Sequence, residues 1–372
     1  MAVPSTLTDP YGALLTTTLR AMEPTLHDNI TRSNKFLAWL MMKDRMRSQD
    51  GGERVKVALM HSLNDTADVY SGYGLLSVVP QEGITAAFYE WAQYSVSITI
   101  SRKEERQNSG KHQAIGLLQS KTTQAMNSLK ELVNNSIVAG RISSGASSAN
   151  GEFSAVVGNL DSGADGVLPL SALIDADPDR SRTDIGNINP ATWTFWSNQS
   201  KESSATTFAG YKQEMQNLYN TCSRGSMGSP DLLLGTQVAW EQYWNSLQTQ
   251  ERYYMTSPKV VDVLGGSEAL AFRGAAFIWD EVVPDVATNG TLLQGGIGLS
   301  SGELQLDTVY FINSESCEWV YDSQTNFITT PMVRPENQDA RTGQILFMGI
   351  LGVNNRRKNG VLKGIQHTPF TS

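Results

Sequence analysis

The sequence predicts an α+β fold, and three features of its patterning do so. They are a period-2 alternation in the first third, a long 3.6-residue periodicity in the middle, and strand-like runs crowding the last third. Its 372 residues suffice for two or three cores of ordinary domain size. A content of 40% hydrophobic and 18% charged residues suits a folded chain, not a disordered one.

Residues 1 to about 29 are polar and patternless and read as an extended arm that is ordered only against something else. The segment Ile30 to Met46 places Phe36, Leu37, Leu40 and Met41 at helical spacing. Lys43, Arg45 and Arg47 follow at its C-terminal end, where a helix dipole favours cations. Two alternating runs come next, "ERVKVAL" with Val55, Val57 and Leu59 on one face and "YSVSITI" with Val96, Ile98 and Ile100. The connection between them carries Gly72, Gly74 and Gly83 and is long for a compact domain. Two strands meeting across such a loop make a ribbon, which alone is marginally stable in water. The ribbon should therefore rest on a neighbour, another copy of the chain being one candidate.

The strongest helical signal runs from about Lys111 to Ala139, with Ile115, Leu118, Ala125, Met126, Leu129, Leu132, Val133 and Ile137 in phase and Gly140 at the C-cap. At 1.5 Å per residue it spans roughly 40 Å. Residues 141 to 166 are rich in Gly, Ser and Ala and read as a loop. Two amphipathic helices follow, one with Phe208, Tyr211, Met215, Leu218 and Cys222 closed by Gly225, the other capped by Thr236 and carrying Val238, Tyr243 and Leu247. Between them "PDLLLG" predicts a short buried strand. From Ala271 onward strands dominate, and Asn359-Gly360 before the last one is a hairpin signal.

The same residues carry little recognisable chemistry. The four histidines, His27, His61, His112 and His367, show neither i/i+4 pairing nor a carboxylate at ligand spacing. Asp175, Asp177 and Asp179 have the spacing of a calcium loop, but its Gly and bidentate Glu are replaced by Arg180 and Gly186, so an Asp/Pro turn is the expectation. Ser300 in "GLSSG" matches a nucleophile elbow, yet a strand-like run follows it where the elbow needs a helix. Asp280 and Glu281 are adjacent at a strand end, and neighbours in a strand point to opposite faces, so they cannot work as a facing acid/base pair. No phosphate-cradling glycine motif occurs. Cys222 and Cys317 have no ligand-type neighbours and read as semi-buried thiols. The expectation is no catalytic, cofactor-binding or metal residue, no cofactor, and no enzyme. The formal charge of −8 argues against tight binding of nucleic acid. No run reaches the roughly 20 apolar residues of a membrane span. "MAVPSTLTDP" shows no leader, so a chain made and used in a cytosol is expected.

Three ordered stretches carry a resemblance. "AFRGAAFIWDEVVPD" offers Phe272, Gly274, Asp280 and Pro284 in the form F-x-G-x-x-x-x-x-D with a following Pro; "VYFINSESCEWVY" ends a strand on "YFIN"; and Asn355, Arg356, Arg357, Asn359 and Gly360 form "NRR-x-NG" before the last strand. "GNINPATWTFW", with Trp193 and Trp196, and "PDLLLGTQVAWEQYWNSLQTQERY" join them. Together they resemble the major capsid proteins of tailed bacteriophages, of the Hong Kong 97 type, over nearly the whole chain.

The resemblance implies that family's fold: an N-terminal arm (1–50), an E-loop β-ribbon over a neighbouring subunit (51–108), a spine helix with peripheral domain (109–165), an axial domain (166–330), and a return to the peripheral domain with the C-terminal strands (331–372). It implies a coat protein that self-assembles as pentamers and hexamers into an icosahedral shell. Expected partners are other copies of itself, a portal, scaffolding and decoration proteins, and packaged double-stranded DNA contacted weakly. The expected place is the virion, assembled in a host bacterial cytoplasm without a membrane. Removal of an N-terminal segment is not expected, nor is a cross-link from Lys56 to Asn354, Asn355 or Asn359. Two other readings stand beside it: an encapsulin-like nanocompartment shell, and a hydrolase built on Ser300.

Overall fold

The computed structural model describes residues 35–107, 117–138, 167–175, 178, 185–225, 228–247, 270–280, 282–283, 308–336 and 338–365. In chain order these form α1 (Lys35–Met42), β1 (Met46–Gln49), β2 (Val55–Met60), β3 (Ile84–Tyr89), β4 (Ala92–Ser101), α2 (Arg102–Gln107), α3 (Leu117–Val138) and α4 (Leu170–Leu173). Next come β5 (Gln199–Glu202), α5 (Phe208–Cys222), β6 (Leu232–Gly235), α6 (Gln237–Leu247), β7 (Leu270–Phe272) and β8 (Ala275–Trp279). The last are β9 (Val309–Ile312), β10 (Cys317–Asp322), β11 (Ile328–Thr329), β12 (Ala340–Val353) and β13 (Gly360–Lys363). The mixture is the expected α+β one. Among the described residues, one unit holds 94–132 and 324–347, and the other holds 35–93, 133–323 and 348–365.

In the larger unit, α5 and α6 pack on a six-stranded sheet of order β5-β13-β9-β6-β8-β7. Its central strands β6 and β9 are buried at every residue, as continuous apolar runs such as "LLL" and "VYFI" require. Tyr211, Met215, Leu218 and Cys222 of α5 and Tyr243 of α6 meet Phe277, Phe311 and Leu362 of the sheet in one core. Thr207 caps α5 by accepting from the Gly210 amide at 3.2 Å, and Gly225, at φ +92°, follows its end. Thr236 caps α6 through the Ala239 amide. In the same unit β1 runs parallel to β10, and β10 pairs antiparallel with residues 349–353 of β12. In the smaller unit β11 pairs with Ile345 and Leu346 of β12, and Tyr94 and Phe327 both pack on Phe347.

The structure differs from the sequence reading at four places. The first helix ends at Met42, because Asp44 takes φ +55° and Met46–Gln49 is drawn into a sheet by β10; its inward face is Phe36, Trp39 and Leu40, with Met41 exposed. The ribbon partner of β2 is β3, in the register Val55↔Tyr89 to Met60↔Ile84, whereas the "YSVSITI" strand β4 pairs with β12. The long helix buries a straight i, i+4 row, Ala125, Leu129, Val133 and Ile137, while Leu118 and Leu132 are exposed; its described 22 residues span about 33 Å. Asn359-Gly360 does not close a hairpin: β12 and β13 belong to different sheets, joined by a 3₁₀ turn, Arg356–Lys358.

Candidate functional site

The ribbon β2–β3 begins as a two-faced element. Val55, Leu59, Ala87 and Tyr89 are buried, and Lys56, Ala58, Met60 and Phe88 face out. Its base is tied on three sides. The Trp91 indole N–H donates to the Gly52 carbonyl at 2.8 Å, and Arg54 and Glu90 form an ion pair at 2.9 Å. The Tyr89 hydroxyl reaches the end of β12, donating to the Val353 carbonyl at 2.7 Å and accepting from its amide at 3.3 Å. Complete burial pushes that phenol well above its ordinary pKa, so it stays a neutral donor.

The motif "GNINPATWTFW" forms the seat under the ribbon. Gly186 and Asn187 both take positive φ in a tight turn closed by Ile185 and Ile188, the geometry for which Gly and Asn are suited. The Gly186 carbonyl accepts from the Phe88 amide at 3.1 Å, and a Cβ on Gly186 would lie 2.8 Å from that of Ala87. The Trp196 indole donates to the Ile185 carbonyl at 2.8 Å. Trp193 and Phe195 stand beside His61 at ring separations of 6.1 and 5.4 Å.

Arg356 secures this seat from below. The side chain is fully buried, and its guanidinium donates to the carbonyls of Leu173 at 2.8 Å, Trp196 at 3.1 Å and Ala172 at 3.3 Å, and to Asn198 Oδ1 at 3.1 Å. Burial draws its pKa down to about 10, which still leaves it charged at neutral pH. Asn359 Oδ1 accepts from the Asn313 amide and the Ser316 hydroxyl, which fastens "YFIN" to "NRR-x-NG". Gly360 lies so close to α5 that a Cβ would be 2.7 Å from Cys222 Sγ. In the first motif, Arg273 and Gly274 at φ +50° and +90° turn β7 into β8.

Above this anchored base, residues 61–83 carry no regular strand or helix, and almost all of them are exposed. Val69, Tyr73, Leu75 and Val78 are each at least 90% accessible, and Leu63, Tyr70, Leu76 and Val79 exceed 60%. So many large apolar side chains on one projecting segment mark an interaction surface, not a solvent face. Sequence reading found the long connection but not its outward apolar content.

The other candidate residues are dispersed. Asp280 is buried and forms a turn, accepting from the Val282 amide at 3.0 Å; Glu281 and Pro284 lie outside the described residues. Both backbone groups of Asp175 bond to Asn198, and Asp177, Asp179, Ser300, His27, His112 and His367 lie outside the described residues. Among the described residues no group of three or more His, Cys, Asp or Glu is placed to hold a metal. No helix among them is long and apolar enough to cross a membrane. Lys56 sits over the Phe88 ring, and Asn354 donates to the Glu315 carbonyl.

No family model and no curated protein matches the chain. Solved structures do match. The capsid asymmetric unit of cyanophage A-1(L) superposes with a TM-score of 0.59 at 13% identity, covering 92% of this chain and 95% of that one. The fold is that of the Hong Kong 97-type coat. A structure from Mycobacterium phage Ogopogo shares it at a TM-score of 0.51 and 12% identity, covering 92% and 95% of the two chains. The holo-SrpI encapsulin complex from Synechococcus elongatus shares it too, with a TM-score of 0.55, 9% identity and coverage of 100% and 99%. At such identities the likeness is one of Hong Kong 97-type fold, and function has to be argued from surfaces.

Proposed function

We propose that this chain is the repeating subunit of a self-assembling protein shell, and specifically the major capsid protein of a tailed double-stranded DNA phage. The observation that carries the reading is the projecting apolar loop 61–83 on a base held by Tyr89, Gly186 and Arg356. Eight large apolar side chains, at about 1.5–3 kcal/mol each when fully buried, supply ample drive for docking on another copy even after the costs of association. In this reading 1–50 is the N-terminal arm, 51–108 the E-loop, 109–165 the spine side of the peripheral domain, 166–330 the axial domain, and 331–372 the return to the peripheral domain.

The role is structural, with no residue assigned to catalysis. Pentamers and hexamers close an icosahedral shell in the virion, put together in the host bacterial cytoplasm, with a portal and with scaffolding and decoration proteins as expected partners. The acidic balance suits a container whose wall holds packaged DNA weakly. The full-length likeness to an encapsulin complex supports a second reading, a nanocompartment shell around a protein cargo. Electron microscopy of particles formed by the purified chain, with a nuclease-protection assay on native material, separates the two. Phage-head-sized shells with protected DNA support the coat; small uniform shells enclosing another protein support the nanocompartment. A chain that stays monomeric at high concentration sinks both.

A further inference from the structure

In the smaller unit a cavity of about 580 Å³ is lined by Arg102 and Arg106 of α2, Arg334, and Arg341 of β12, together with Glu105 and Asp339. Asp339 accepts from Arg334 and lies 3.9 Å from Arg102, and Glu105 pairs with Arg341 at 3.5 Å. Four guanidiniums thus face two carboxylates, a local charge of +2 on a chain whose formal charge is −8. The carboxylates orient the guanidinium forks but do not exhaust them, since each fork carries five donors and a carboxylate engages two at most in bidentate fashion. The side chains of Arg102, Arg334 and Arg341 are 55%, 56% and 63% exposed, so a carboxylate arriving from outside can still reach them.

The described segment with the complementary character is the projecting loop. Residues 61–83 contain Asp65, Asp68 and Glu82 and neither Lys nor Arg, a net charge of −3. All three carboxylates belong to exposed residues. A loop that has to bury its apolar side chains needs a seat of opposite charge, because like charges juxtaposed across an interface are costly. We infer that the arginine-lined cavity of one copy receives the carboxylates of loop 61–83 of a second copy. The inference rests on the shell reading and adds the partner surface to it.

The test uses the full chain, with assembly followed by light scattering and electron microscopy across protein and salt concentrations. Asp65→Asn, Asp68→Asn and Glu82→Gln together remove the loop charge at exposed positions, so the fold is undisturbed. Arg106→Glu with Arg341→Glu reverses the cavity, and Asp65→Arg with Asp68→Arg reverses the loop. Each one-sided change should raise the concentration needed for assembly by about tenfold or more; the neutralised loop should flatten its salt dependence, and either reversal, which sets like charges against each other, should invert it. Joining the two reversals in one chain should bring it back to within about threefold of wild type. A neutralised loop that assembles like wild type overturns the inference, as does a doubly reversed chain no better than its parents. Cavity variants that assemble normally but lose nuclease-protected DNA overturn it in favour of phosphate as the occupant. If the cavity variants do not fold, the neutralised loop decides alone. A wild-type chain that never assembles removes the shell reading itself, and this inference with it.

Discussion

Replacing Arg356 with Met tests whether the buried guanidinium is a hydrogen-bonding hub or a tolerated charge. Met leaves three carbonyls, of Ala172, Leu173 and Trp196, without the donor that now reaches them, all three on buried residues; Asn198 Oδ1 keeps the Asp175 amide. An orphaned buried acceptor costs about 1–3 kcal/mol, so the gross loss is about 3–9 kcal/mol. Relief from burying a charge returns several of these, since a buried ion replaced by an apolar side chain is sometimes neutral. The net expectation is a loss of about 2–5 kcal/mol, or roughly 5–15 °C in Tm for a unit of this size. Arg356→Lys separates the two contributions. It keeps the charge but offers three donors from one point, and so should recover less than half of the loss. Circular dichroism melts at low protein concentration give the answer free of any stabilisation that self-association would add. A Met variant melting within about 2 °C of wild type would refute the hub.

Gly360→Ala should destabilise by about 1–3 kcal/mol through overpacking, because the new Cβ would sit 2.7 Å from Cys222 Sγ and 3.1 Å from Leu218 Cδ1. With no clash the same change would stabilise slightly by restricting the unfolded chain, so the sign is diagnostic. Adding Cys222→Ala should recover at least about 1 kcal/mol in a double-mutant cycle, and a Gly360→Ala melt at or above wild type defeats the argument. Burial pushes the Cys222 and Cys317 thiols up to about 12 each. At pH 8 their thiolate fraction is then about one in ten thousand, against about a quarter for an ordinary thiol. Alkylation of the native protein should therefore be about a thousandfold slower than after unfolding, and comparable rates would show the thiols to be accessible.

Elements whose pattern is local were legible. The alternation of Val55, Val57 and Leu59, the helical faces of α5 and α6, and the apolar run of β6 each declare themselves within a few residues, because burial acts on consecutive side chains. Pairing was not. In β3, Ala86 and Ala87 give no alternation to read, and the outward Ile84 and Phe88 imitate core residues, so the alternation in the sequence points to β4 as the ribbon partner instead. β1, with the sequence Met-Arg-Ser-Gln, exists because β10 pairs with it across some 270 positions, which no local window reports. Arg356 was visible as part of a motif, but a basic residue in a turn reads as solvated; its burial depends on carbonyls more than 150 positions away.

The same contrast explains why the quoted motifs point to a fold and not to a chemistry. Gly186-Asn187, Arg273-Gly274, Asp280, Asn313, Arg356 and Asn359-Gly360 each answer one geometric demand: a positive φ, a turn amide, a set of carbonyls, or the approach of two backbones. Few residue types satisfy any of them. The loop that would meet a neighbour is under a looser demand, for apolar area and charge of the right sign, which many sequences meet. In the proposed shell subunit the contact surface can therefore vary widely while the turns and buried polar hubs keep their residue types. Substitutions in loop 61–83 should accordingly move assembly and leave the melt of the unassembled chain in place, whereas those at Arg356 or Gly360 should move the melt first.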